Sequence, residues 1–106
     1  MTSGNGWDKI RFSSPAARDL SEIFLHTLVT WGPVQLGAYE EKLHKAFLMI
    51  VRHPGIGRLI PDDPKSRRVF GVGSHLIVYR ASGSGILITR ILHDRMNTLD
   101  KALQGA

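Results

Sequence analysis

The tripeptide Trp31-Gly32-Pro33 separates two long stretches whose apolar residues recur at helical spacing, and it leaves no room between them for a crossover. Two helices joined this tightly must fold back antiparallel, so this part of the chain is a helical hairpin. Upstream, Ser14 can cap a helix and Pro15 fits its first turn, where a missing N–H costs nothing. The first helix is therefore predicted from Pro15 to about Trp31, with Ala17, Leu20, Phe24, Leu28 and Trp31 as the stripe facing a sheet. Gly32 stops it and Pro33 opens the second helix. There Leu36, Tyr39, Leu43, Phe47 and Ile50 recur until Pro54 ends the helix near His53.

Strands flank the hairpin. "WDKIRFS" alternates Ile10 and Phe12 against Lys9 and Arg11, the pattern of a strand with one dry face. The stretch from Gly55 to Ser66 is rich in Gly, Pro and Asp and reads as a surface loop. Beyond it, "RRVFGV", "HLIVYR" and "GILITRILH" are separated by Gly73-Ser74 and "SGSG", the short glycine turns that hairpins need. The expected class is α+β, in the order β-α-α-β-β-β: an N-terminal strand, an antiparallel helical hairpin and a three-stranded antiparallel meander. With 106 residues and 42% hydrophobic content, the chain suits one domain over 1–106, large enough for a single core. Residues 1–7 are expected to be a flexible extension, and the tail "TLDKALQGA" a short helical turn or a frayed end.

Fourteen Lys and Arg against nine Asp and Glu leave a net charge of +5, which favours an acidic partner, a nucleic acid or an acidic protein surface. Cysteine is absent, which removes disulfides, zinc–thiolate sites and cysteine nucleophiles together. No run reaches membrane-span length, and "MTSGNGW" is neither a basic leader nor an apolar signal, so a cytoplasmic location is expected.

Some apolar residues fall outside the core stripes. Leu25 and Val29 do so on the first helix, and Leu48 and Met49 on the second. They mark either a wide core flank or a partner-binding groove. In the last strand Ile86, Ile88 and Leu92 lie on one side while Leu87 and Ile91 lie on the other, so both faces want cover. Helices can cover only one of them, so the second needs the terminal segment or another polypeptide laid across it, and an obligate protein partner would fit.

"RILHDRMN", Arg90 to Asn97, closes that strand with two arginines, a histidine and an asparagine. RNA cleavage needs a base, an acid and cations for the phosphorane charge. Arg90 and Arg95 suit the cationic role and His93 either proton-transfer role, but no second proton-transfer residue stands nearby in sequence. In a regular strand Arg90 and His93 point to opposite faces, so a shared pocket requires a bend. The plain alternative is a strand-end histidine bonded to backbone or to Asp94. His26, His44, His53 and His75 are scattered without metal-ligand spacing, so neither a metal nor a cofactor is expected. Arg67 and Arg68, beside Arg58, form a second basic patch of the kind that steers acidic partners, or that merely solubilises an edge strand. "GVGSH" lacks the Lys and Ser or Thr of a phosphate loop and leads into a strand.

Five motifs, "SPAARDL", "WG", "HPGIGR", "VGSHLIVYR" and "ITRILHDRMN", taken with this element order over about residues 10 to 99, resemble the ParE branch of the RelE/ParE superfamily of bacterial toxins. The resemblance implies the toxin of a type II toxin–antitoxin system, wrapped and neutralised by a ParD-like antitoxin, with operator DNA reached only through that antitoxin. ParE-type members are linked to inhibition of DNA gyrase, whereas RelE relatives cut mRNA on the ribosome. This sequence has no tyrosine near its C-terminus of the kind several ribonuclease members use, and gyrase is the expected target. Arg90, His93, Arg95, Met96 and Asn97 are the expected target surface, and Leu25, Val29, Leu48, Met49, Arg67 and Arg68 the expected antitoxin surface. The alternatives are a ribonuclease using Arg90, His93 and Arg95, or an inactive interaction domain that keeps only partner binding.

Overall fold

The computed structural model describes residues 9–95. The N-terminal extension, Met96, Asn97 and the tail after them lie outside the described residues. Strand β1 (Ile10–Phe12) leads into α1 (Ser14–Trp31) and α2 (Pro33–Arg52). A 3-10 turn (Pro54–Ile56) and β2 (Arg58–Leu59) follow, then β3 (Arg68–Val72), β4 (His75–Ser82) and β5 (Gly85–His93). The cap of α1 is Ser13 rather than the expected Ser14: its Oγ accepts from Ala16 N at 3.1 Å and donates to Thr89 O at 2.9 Å. One hydroxyl thus starts the helix and ties it to β5. At the other end Gly32 adopts φ +92°, a conformation L side chains rarely take, and its N–H closes on Leu28 O at 2.9 Å. The reversal expected at Trp31-Gly32-Pro33 is present.

The sheet has five strands in the order β1-β5-β4-β3-β2. The expected meander is its β3-β4-β5 portion, antiparallel throughout, while β1 returns through the hairpin to pair parallel with β5. The sequence reading missed β2, which forms inside the predicted loop and pairs with β3.

A bulge changes which faces the residues of β5 take. Tyr79 stands opposite Ile88 but Val78 stands opposite Arg90, so Thr89 is an extra residue in β5. Ile86, Ile88 and Ile91 consequently all join the core beneath the helices, with Ile77, Tyr79, Leu43, Phe47 and Ile50. Leu92 points the other way, into a small cluster with Ile60, Val69 and Val78. This corrects the expectation that Ile88 and Leu92 share a side, since a regular period of two does not survive an inserted residue. Phe12 meets Phe47 edge-on, with ring centroids 5.3 Å apart, and locks β1 to α2.

The stripe of α1 is also rotated from expectation. Ala16, Leu20, Ile23, Phe24 and Thr27 face the core, whereas Ala17 is exposed, Leu28 is 41% exposed and Trp31 70%. Thr27 escaped notice because it is polar; its hydroxyl is satisfied within the helix by Ile23 O at 2.7 Å.

The segment between β2 and β3 folds under the sheet and covers part of the second face with Ile60, so this cover comes from the chain itself. Its clamp is Arg67, which was expected on the surface and is instead only 3% exposed. Arg67 Nε and Nη2 grip Asp63 in a fork at 2.7 and 2.9 Å, and the same carboxylate accepts from the backbone N–H of Arg67 and of Lys65. The preceding turn is pinned from above by the buried Tyr79, whose hydroxyl donates to Pro54 O at 2.6 Å and accepts from Gly57 N at 2.9 Å. Gly57 must lack a side chain here, because a Cβ would come within 2.7 Å of that hydroxyl. Among the described residues no helix is long and apolar enough to cross a membrane.

Candidate functional site

A cleft of about 480 Å³ opens where α1 and α2 meet the ends of β4 and β5. Its floor is a cross-strand pair of histidines, His75 on β4 opposite His93 on β5, with ring centroids 5.4 Å apart. From α2, Tyr39 Oη reaches His75 Nδ1 at 2.6 Å and Val72 O at 3.3 Å. The hydroxyl has a single proton to share between these two contacts. Either Tyr39 donates to a neutral His75, or His75 donates to Tyr39 and the hydroxyl passes its own proton toward Val72. Gly73 makes this fit possible, since its φ is +57° and any Cβ there would lie 2.8 Å from the Tyr39 ring.

Burial pushes the His75 pKa below the ordinary histidine value, and neighbouring His93 and His26 push it further down, against the opposing pull of Asp94. Burial likewise raises the Tyr39 phenol above its usual value. His93 Nδ1 accepts the Arg95 N–H at 3.1 Å and lies 3.2 Å from Asp94 Oδ1. These are alternatives, because a nitrogen that accepts from Arg95 carries no proton for Asp94.

Arg90 takes no part in the cleft lining. Its Nε and Nη2 form a fork with Asp19 of α1 at 2.7 and 3.0 Å, and Asp19 also accepts from Ile91 N at 2.9 Å. The arrangement has a simple cause: β1 pairs with β5 only as far as Ile88, and beyond it Asp19 satisfies the sheet edge that β1 leaves open. The pair is mostly buried, with side chains 18% and 13% exposed, and the carboxylate holds the guanidinium still more firmly protonated. The bend that a shared pocket required does not occur: the bulge falls at Thr89, before Arg90, and from Arg90 to His93 the pairing is regular, so Arg90 is held by Asp19 and not set beside His93.

The charge of the cleft lining is opposite to that of the whole chain. Asp19 and Glu22 contribute carboxylates, while no Lys or Arg lines it among the described residues. Trp31, Gln35 and His26 complete the rim. Arg95 is exposed beside the cleft. No group of three His, Cys, Asp or Glu among the described residues is placed to hold a metal. Sequence reading missed Tyr39 and His75 as members of one site. In an unbulged ladder His75 would stand opposite Leu92, so only the bulge brings the two histidines face to face.

A second candidate surface lies on the outside of the hairpin. Leu25 is 63% exposed and Val29 76%, and with Leu28 they form an i, i+3, i+4 ridge continued by exposed Trp31 and Val34. Met49 is exposed and Leu48 half-buried. Arg68 is half-buried, its guanidinium donating to Gly57 O at 2.8 Å.

This architecture is found among solved structures in a chain of the chromosomal ParDE TA system from P. aeruginosa, with a TM-score of 0.66 at 24% identity over 80% of this chain and 94% of that one. The fold class is thus that of a small α+β domain. Residues 10–98 match the family described as the ParE toxin of the type II toxin–antitoxin system parDE, and the chain belongs to that family. Toxin ParE1 of Caulobacter vibrioides is 34% identical over 82% of this chain and 90% of its own length. Toxin ParE1 of Mycobacterium tuberculosis is 36% identical over 79% and 88%.

Proposed function

We propose that this toxin arrests growth in the cytoplasm by binding DNA gyrase without catalysing a reaction of its own, and that a ParD-like antitoxin neutralises it by covering the apolar ridge of α1. The observation that carries the target reading is the occupation of Arg90. A ribonuclease site must stabilise the charge of a phosphorane with cations, and Arg90, one of the two arginines expected in that role, is locked to Asp19 outside the cleft, while the cleft lining adds carboxylates instead of Lys or Arg among the described residues. The target surface then comprises His93, Arg95 and the Trp31 rim. The antitoxin reading rests on Leu25, Leu28 and Val29, a contiguous apolar ridge that nothing in the described chain covers.

One observation favours a ribonuclease as second reading: Tyr39, His75 and His93 lie together in the cleft, a grouping of proton-transfer side chains that the order of residues in the sequence concealed. Purified toxin added separately to a gyrase supercoiling assay and to a translation reaction divides the two. We expect loss of supercoiling, intact mRNA, and a change of less than tenfold on His93→Gln. General acid–base catalysis contributes roughly 100-fold or more, so codon-dependent mRNA cuts that vanish in His93→Gln beside normal supercoiling would replace the first reading with the second.

A further inference from the structure

On the sheet face turned away from the helices, Arg11 and Arg80 have no carboxylate partner among the described residues. In β1, Ile10 and Phe12 pack toward the helices, which leaves Arg11 on the opposite side. By the same alternation Arg80 of β4 and Leu87 of β5 lie on that side, since Tyr79, Ile86 and Ile88 belong to the core. The registers place Arg11 beside Leu87 and Leu87 beside Arg80, one line across three adjacent strands. With strands about 4.8 Å apart, the two arginine backbones stand roughly 10 Å from each other.

Neither guanidinium is used within the described fold as Arg67 and Arg90 are. Arg11 Nη2 donates to the exposed Ser82 hydroxyl at 2.6 Å. Among the described residues Arg80 reaches only its neighbour Ala81 O, at 3.4 Å, and its Nε is shut from solvent without a hydrogen-bond partner there. Not one Asp or Glu occurs in any of the five strands. Lys9 and the Ser82 to Gly85 turn extend the patch into a shallow niche of about 240 Å³ beside Arg11.

We infer that this face is a docking surface for the sugar-phosphate backbone of duplex DNA, contacted directly by the toxin. A duplex offers one negative charge per about 1.7 Å of its axis, the kind of dense array that unpaired arginines on a flat sheet can meet. Single strands are held differently, by bases stacking on aromatic rings, and on these strands Phe12, His75 and Tyr79 all sit on the helix side. Besides Arg90, which Asp19 holds, the residues of β1, β4 and β5 on the outward side include Arg11, Leu76, Val78, Arg80, Ser82, Leu87 and Leu92, none of them aromatic. Backbone contacts of this kind position a protein without reading sequence. The inference is independent of the gyrase reading, because its test contains no gyrase.

The experiment is fluorescence anisotropy of the full chain on a labelled duplex of about two turns, repeated across a salt series. Each neutralised phosphate contributes about 0.9 to the slope of log K against log salt. The double variant Arg11→Gln, Arg80→Gln is expected to bind at least tenfold more weakly and to flatten the slope by close to 2, with Arg11→Lys, Arg80→Lys restoring most of it. Arg18→Gln, Arg52→Gln, on the helices, controls for net charge and should change affinity less than threefold. Equal losses in the two Gln pairs, absence of salt-dependent binding to duplex DNA, or tighter binding to single strands or duplex RNA would overturn the inference. Displacement of the duplex by polyglutamate at equal charge concentration would overturn it too, in favour of an acidic protein partner.

Discussion

Asp63 accepts four hydrogen bonds, two from the Arg67 guanidinium and one each from the backbone N–H of Arg67 and Lys65, and this explains how a charged pair lies almost dry beneath the sheet. The Arg67 side chain is the main reason the Asp63 carboxyl is held far below the usual carboxylate range. Removing one member of such a pair strands the other charge in a poor solvent. Asp63→Asn is therefore expected to destabilise the protein by about 3–5 kcal/mol in a denaturant titration. Asp62→Asn, one residue away and exposed, should stay within about 0.5 kcal/mol of the parent. Similar midpoints for the two variants would mean that the clamp contributes little. Arg67 looked like surface charge beside Arg68 because its partner sits across a turn in which Asp62 and Ser66 take positive φ, a geometry that side-chain chemistry alone does not announce.

At the scale of elements, α1 is fastened at its start and left open along its outside. Ser13 caps the helix and bonds β5, whereas the neighbouring Ser14 is an exposed first-turn residue. Ser13→Ala should cost about 1–2 kcal/mol and Ser14→Ala under about 0.5 kcal/mol, as read from paired thermal melts. The reverse ranking would restore Ser14 as the cap. On the outer ridge, Leu25→Lys with Val29→Lys exchanges exposed apolar surface for charge, so the fold should keep its melting temperature within about 2 °C. Affinity for the antitoxin should fall at least tenfold by calorimetric titration. Unchanged affinity would move the antitoxin off this ridge.

At the scale of the whole molecule, two groups link stability to pH in the same direction. A depressed pKa in the folded state means that folding favours the deprotonated form, so the stabilisation is complete above the unfolded pKa and declines as pH falls. For His75 that decline begins near the ordinary histidine value of about 6.5, and for Asp63 near about 3.9. Denaturation midpoints across the acid range should accordingly drop in two stages. His75→Gln should abolish the upper stage while leaving the lower one. A single stage near pH 4 in the parent protein would show that the histidine cleft stays hydrated enough to accept a proton freely.

Wherever neighbours along the chain suffice, the sequence determined the outcome: Pro33 and Gly32 reverse the hairpin, Gly73 and the "SGSG" turn close the β-hairpins, and helical periodicity marks Leu43, Phe47 and Ile50 as core. The ParE resemblance was legible for the same reason, as its motifs are these local signals in a particular order. Only the tertiary structure decided the site, because pairing register is a property of two strands and one inserted residue, Thr89, resets it. That insertion sets His75 against His93 and Tyr39 beside them, and Arg90 is taken by Asp19, 71 residues earlier in the chain. Local spacing carries no information about such long-range matches, since they depend on which edges and faces remain unsatisfied after the helices have packed.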